Sequence, residues 1–241
     1  MTPASARDKI IFALDVDCRE EISRWATLLS DRVGMFKVGK ELFTSCGPEA
    51  VELVKRQGGQ VFLDLKYHDI PNTVAQAMVA AGRMGVSLAN LHALGGPVMM
   101  ETAANEVHRV FSDSDRPRLL AVTILTSSTA ETLRAVGIEH PVDEMVVRLA
   151  RLAQQSGMDG VVASPLEITA IREACGNDFL IVTPGVRPSF ASLDDQKRVM
   201  TPAEAVKAGA DYLVIGRPIA KASDPGAAAT MIIDEIVAGA E

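Results

Sequence analysis

Eight short runs rich in Val, Ile, Leu and Phe punctuate this chain, at 10–14, 34–38, 60–65, 86–92, 118–125, 160–163, 179–183 and 212–215. A strand with one wet face alternates apolar and polar residues, whereas a strand covered on both faces is apolar throughout. These runs are of the second kind, which predicts a parallel sheet wrapped by helices. The intervening segments carry helical signals. Val142, Met145, Val146, Leu149, Leu152 and Ala153 recur at helical spacing up to Gly157. Ser164-Pro165-Leu166-Glu167 and Thr201-Pro202-Ala203-Glu204 are capping-box starts with proline at the first helical position, closed by Gly176 and Gly209. Eight strand–helix units in 241 residues predict a (β/α)₈ TIM barrel, one domain spanning 1–241. The open doubly wound alternative lacks support, because no GxGxxG follows the first run.

The net charge of −7 argues against a nucleic-acid partner or a membrane surface, both of which call for basic patches. No apolar run reaches membrane-spanning length, and Arg7, Asp8 and Lys9 break any secretory signal. Cys18, Cys46 and Cys175 are odd in number and widely spaced, and so are expected to be reduced thiols in a cytoplasmic protein. His68, His92, His108 and His140 lack metal-ligand spacing, so no metal is expected.

Ionisable residues gather where the strands should end. Asp15 follows IIFAL, Lys37 sits in MFKVG, Asp64 and Lys66 belong to VFLDLK, and Asp69 comes shortly after. The C-terminal rim of such a barrel is where active sites are built. Residues two apart on a strand share a face, so Asp64 and Lys66 should point together into the mouth. Buried charges need partners, and an alternating Lys37, Asp64, Lys66, Asp69 array supplies them. A salt bridge closing the barrel end would account for any one pair. Four groups on two neighbouring strand ends, beside Asp15, point to a catalytic site.

A second constellation lies on the last two strands, where TPGVRP supplies Gly185 and Arg187 and VIGRP supplies Gly216 and Arg217. Glycine admits backbone N–H groups to an oxyanion and arginine offers a matching fork, so these turns read as a phosphate grip. Between them, 188–200 is polar, charged and aperiodic, the composition of a functional loop of the kind that often serves as a lid.

DLKYHDIPNT at 64–73, together with FALD, FKVG, AVTILTS, TPGVRP and VIGRP, strongly resembles the orotidine 5′-phosphate decarboxylases. The resemblance runs from about 10 to 218, with the motifs in family order. It implies conversion of orotidine 5′-phosphate to uridine 5′-phosphate and CO₂ in pyrimidine biosynthesis, without a cofactor. Lys66 would protonate C6 and Asp64 would lie beside the substrate carboxylate. Lys37 would hold Asp64 and reach the ribose, and Asp15 would bind a ribose hydroxyl. Thr126 would meet the pyrimidine edge, a task that the adjacent Ser127 could also perform. Gln196 would bridge base and phosphate, with Arg187, Gly216 and Arg217 on the phosphate. Asp69 and Thr73 would enter the neighbouring subunit's site, which implies a homodimer with shared sites. A related magnesium-dependent group shares the D-x-K-x-x-D core, but carries an acidic ligand where this chain has Lys37.

Overall fold

The computed structural model describes residues 1–191 and 200–240. Eight parallel strands close into a barrel in sequence order: β1 Ile10–Leu14, β2 Met35–Gly39, β3 Val61–Tyr67, β4 Leu88–His92, β5 Arg118–Val122, β6 Gly160–Val162, β7 Leu180–Pro184 and β8 Tyr212–Ile215. Closure is made by β1 against β8, with Ile10 opposite Leu213 and Phe12 opposite Ile215. Helices follow the strands and cover the barrel from outside. Among the described residues no helix is long and apolar enough to cross a membrane.

The uniform hydrophobicity of the strands has a direct cause, since each strand feeds two cores. Ile11, Met35, Phe62, Leu88, Leu120, Val122, Val162 and Val182 fill the barrel interior. Residues of the opposite parity, such as Ile10, Phe12, Leu63, Ala89, Leu119 and Ile181, pack outward against the helices. Phe12 anchors that outer layer, 5.1 Å from the Trp25 ring and edge-on to Phe36. Each fully buried Ile, Leu or Phe contributes roughly 1.5–3 kcal/mol, so the outer layer supplies most of the stability.

The capping boxes are realised. Ser164 N–H donates to the Glu167 carboxylate at 2.9 Å, and Thr201 N–H donates to that of Glu204 at 2.8 Å. The first box opens a single 3₁₀ turn, Pro165–Glu167, before the helix Ile168–Cys175 begins. Gly209 ends the helix Pro202–Ala208 at φ 113°, a left-handed conformation natural to glycine.

Several strand ends differ from the sequence expectation, and those of β5 and of β3, which runs on to Tyr67, shape the mouth. β5 stops at Val122 rather than 125, because its partner β6 has only three residues to offer. Thr123 still bonds to the Val162 carbonyl, and the chain beyond it, Ile124, Leu125 and Thr126, is free to line a cavity. β6 itself approaches β7 so closely that a Cβ on Gly160 would lie 2.3 Å from the Leu180 carbonyl oxygen, which restricts that position to glycine. Between β3 and β4 the register slips. Leu63 pairs with Ala89 but Tyr67 pairs with Leu91, so four residues of β3 span two of β4.

Candidate active site

That slip builds the centre of the rim. The interior parity of Phe62 continues through Asp64 and Lys66, but Lys66 leaves the extended conformation for φ 51°. It is the one non-glycine with positive φ among the described residues, and such strain is characteristic of functional positions. Lys66 Nζ donates to Asp64 Oδ1 at 2.5 Å, while Lys37 Nζ lies 3.7 Å from Asp64 Oδ2 and 3.2 Å from Asp15 Oδ1. Lys37 reaches this position from β2 past Gly39, where a Cβ would stand 2.9 Å from its amine. Burial works to raise the Asp64 pKa. The Lys66 and Lys37 ammonium groups, with hydrogen bonds from Lys66 and Asn90, outweigh it and hold the carboxyl below its usual 3.8. The aspartate is therefore a fixed negative charge at neutral pH.

Asp69 does not join this array within the chain. It is exposed, and its carboxylate is engaged by the Ile70 N–H at 2.6 Å. The short DIP turn places it on the outer lip rather than over the pocket, and Thr73 is exposed on the helix Pro71–Arg83 beyond it. Lys37, Asp64 and Lys66, with Phe62, Val122, Ile124, Leu125, Thr126, Val162, Ala163, Pro184 and Val214, line a cavity of about 230 Å³. Charged groups thus occupy one wall of an otherwise apolar chamber. Thr126 faces this chamber and Ser127 does not line it.

Arg187 and Arg217 come together around a separate cavity of about 210 Å³, joined by Lys221, which sequence reasoning missed. A Cβ on Gly216 would stand 3.1 Å from that of Ala13 and 3.4 Å from Asp15 Oδ2, so the β8 turn lies against the end of β1. The base of the intervening loop is closed by Arg187 N–H donating to the Met200 carbonyl at 3.0 Å. Gln196 and most of the 188–200 segment lie outside the described residues.

Three further groups carry little signal in the sequence. Asn90 on β4 is fully buried and bonds to both Asp64 and the Lys66 backbone. The His68 and His92 rings lie 5.6 Å apart beside the array, although their spacing in sequence suggested no relation. Burial, helped by His68, Lys40 and Lys66, pushes His92 down to about 4, so it is neutral at pH 7. Glu167 borders an adjoining groove that shares Leu125, Thr126 and Pro184 with the chamber. Its burial raises its carboxyl to about 7, against the bond from Ser164 N–H.

A closed α/β barrel with a charged wall inside an apolar rim chamber, next to an arginine-lined cleft, defines a (β/α)₈-barrel enzyme for a small anionic substrate. More narrowly, the chain belongs to the orotidine 5′-phosphate decarboxylase / HUMPS family, whose model matches residues 8–232. It is 76% identical over 241 residues to the orotidine 5′-phosphate decarboxylase of Trichlorobacter lovleyi, covering all of both chains. The Pelobacter propionicus enzyme of the same name is 76% identical over 239 residues, 99% of each chain. The crystal structure of orotidine 5′-phosphate decarboxylase from Lactobacillus acidophilus superimposes with a TM-score of 0.83 at 40% identity, covering 94% of this chain and 98% of that one.

Proposed function

We propose that the chain decarboxylates orotidine 5′-phosphate to uridine 5′-phosphate in cytoplasmic pyrimidine biosynthesis, using Lys66 to stabilise and protonate the C6 carbanion. The observation that carries this reading is the Lys66 amine, 2.5 Å from Asp64 on the wall of an apolar chamber. Loss of CO₂ leaves an electron pair at C6 in an orbital that the ring cannot delocalise. An ammonium held at that point, in surroundings too dry to screen it, lowers the energy of the developing charge. The same group then delivers its proton to carbon, and the C–C electron pair becomes the C–H bond.

Asp64 orients Lys66 and stands beside the substrate carboxylate. Two like charges ~4 Å apart repel by about 4 kcal/mol at an effective dielectric near 20. Enzymes lower barriers by roughly 8–23 kcal/mol, so repulsion is the minor contribution and carbanion stabilisation the major one. Lys37, bridging Asp15 and Asp64, holds the ribose in register. Thr126 meets the pyrimidine edge. Arg187, Gly216 and Arg217 take the phosphate, with Gln196 linking it to the base, so that remote binding energy acts at the reacting carbon.

The second copy in a homodimer covers the outer lip. Ile70, Leu94, Val98 and Val136, which follow β3, β4 and β5, are exposed, and Leu94 and Gly137 line one cleft of about 480 Å³. An apolar rim of this kind marks an interface. Asp69 and Thr73, exposed beside Ile70, then complete the partner's site.

The test is the fall in ultraviolet absorbance of orotidine 5′-phosphate on mixing with the purified protein and excess EDTA. Full turnover under those conditions is expected, because Lys37 takes the place of an acidic metal ligand. No turnover in any buffer would end the reading, and turnover abolished only by EDTA would remove its cofactor-free mechanism.

A further inference from the structure

Asn90 lies at the interior parity of β4, two residues above Leu88 of the barrel core, and is 0% exposed. A buried amide in an apolar layer must find partners for both of its ends. It finds them in two site residues. Asn90 Oδ1 accepts the Lys66 backbone N–H at 2.8 Å, and Asn90 Nδ2 donates to Asp64 Oδ1 at 2.7 Å. The orientation of the amide is fixed by this pair, since a flipped group would set NH₂ against N–H and oxygen against carboxylate. Because Asp64 Oδ1 also receives the Lys66 amine, the three residues close a ring: Lys66 N–H, Asn90, Asp64, Lys66 Nζ.

The ring has a physical purpose at the bulge. Four residues of β3 face two of β4, so the Lys66 N–H has no strand carbonyl opposite it. Asn90 supplies the missing acceptor, and in doing so fixes Lys66 at φ 51°, which a long side chain does not adopt unaided. We propose that Asn90 is a positioning residue for catalysis, clamping the Lys66 backbone and the Asp64 carboxylate into one unit that sets where the ammonium meets the reacting carbon. This rests on the role given above to Lys66. Without the clamp the bulge relaxes towards extended backbone and the amine leaves its place, while the phosphate, ribose and base contacts are untouched.

The experiment compares N90A, N90D and K66A with the wild type for kcat, KM, uridine 5′-phosphate affinity and thermal melting across pH 5.5–8. N90A should lose about 10- to 100-fold in kcat, the scale of one hydrogen bond to a charged group. Its affinity for uridine 5′-phosphate should stay within about threefold, since the phosphate contacts are remote from Asn90 and Lys37 keeps its bond to Asp15. N90D distinguishes a clamp from a core filler. The new carboxyl imitates the amide only when protonated, with its OH donating to Asp64 and its carbonyl accepting from Lys66. Its charged neighbours are Asp64 and Lys66 on β3 and Lys37 on β2 through Asp64, while His92 on its own strand is neutral in this pH range. Leu120 and Val122 of β5 carry no charge. Full burial and the adjacent Asp64 carboxylate raise its pKa against the two lysines, which Asp64 already neutralises in part, so kcat relative to wild type should climb about tenfold or more as pH falls from 8 to 5.5. A relative kcat independent of pH, or N90A turning over like wild type, overturns the proposal. If N90A does not fold, N90S takes its place, with the same kcat loss expected. An inactive K66A beside a fully active N90A sinks the clamp alone, whereas an active K66A sinks the reading beneath it.

Discussion

Replacing Lys66 by alanine removes the ammonium 2.5 Å from Asp64 and leaves that carboxylate with Lys37 at 3.7 Å and the Asn90 amide at 2.7 Å. The backbone cost barely changes, because alanine inherits the same φ of 51°. The Lys66 and Asp64 side chains are only 24% and 12% exposed, so the effective dielectric is nearer 20 than 80. A unit charge ~4 Å from the carbanion is then worth about 4 kcal/mol, or about a thousandfold in kcat. That is a floor, since the proton donor is lost as well. Breaking a buried pair can cost about 3–5 kcal/mol of stability, but two partners remain and about 1–2 kcal/mol is expected. In a chain of this length that lowers Tm by roughly 2–8 °C. Turnover is read from orotidine 5′-phosphate absorbance, binding from titration calorimetry with uridine 5′-phosphate, and folding from a thermal melt. A folded K66A that binds the product and keeps more than roughly a tenth of wild-type kcat would have lost under about 1.4 kcal/mol, and Lys66 could not then be the carbanion's partner.

Arg217→Ala should lower kcat/KM for orotidine 5′-phosphate about 10- to 100-fold while leaving the bare nucleoside nearly unaffected. Equal losses on both would mean that the arginine cleft does not hold the phosphate. Mixing inactive D69A and K66A subunits should restore activity, because one of the two sites in each mixed dimer then has all its groups. Verified mixed dimers with no activity would show that Asp69 serves its own chain. Glu167→Gln tests the raised carboxyl next to the chamber. A folded pKa of about 7 against 4.5 means that the protonated form is favoured, so its stabilising effect is complete below pH 4.5 and lost as pH rises through 7. E167Q should therefore match wild type near pH 4.5 and melt several degrees higher at pH 8, from about 3 kcal/mol relieved. Melts that differ equally at both pH values would place the carboxyl in an ordinary, solvated setting.

The barrel was legible in the chain because burial on both faces leaves an unmistakable mark, as in the IIFAL and MFKVG runs. The pairing of Asp64 with Lys66 was equally legible, since two residues share a strand face, and Lys37 followed from its place at a neighbouring strand end. Asn90 was not. Inside LANLH a lone polar residue carries no sign of which strand it will meet, and its partners stand 24 and 26 positions away. The His68–His92 contact escaped for the same reason. Asp69 was expected within a four-membered array. In the single chain the DIP turn carries it to the lip, and only the family resemblance pointed it towards a neighbour.

What the amino-acid order determined alone was local: strand and helix periods, capping boxes, the glycine at 209, and the charges at strand ends. Each depends on residues within a turn or two of one another, so the information is contiguous. The register slip between β3 and β4, the left-handed Lys66 and the chamber wall formed by 124–126 were decided by pairing between strands distant in sequence. Such features arise only on closure, when each backbone group left without a ladder partner must take whatever the neighbouring strand presents.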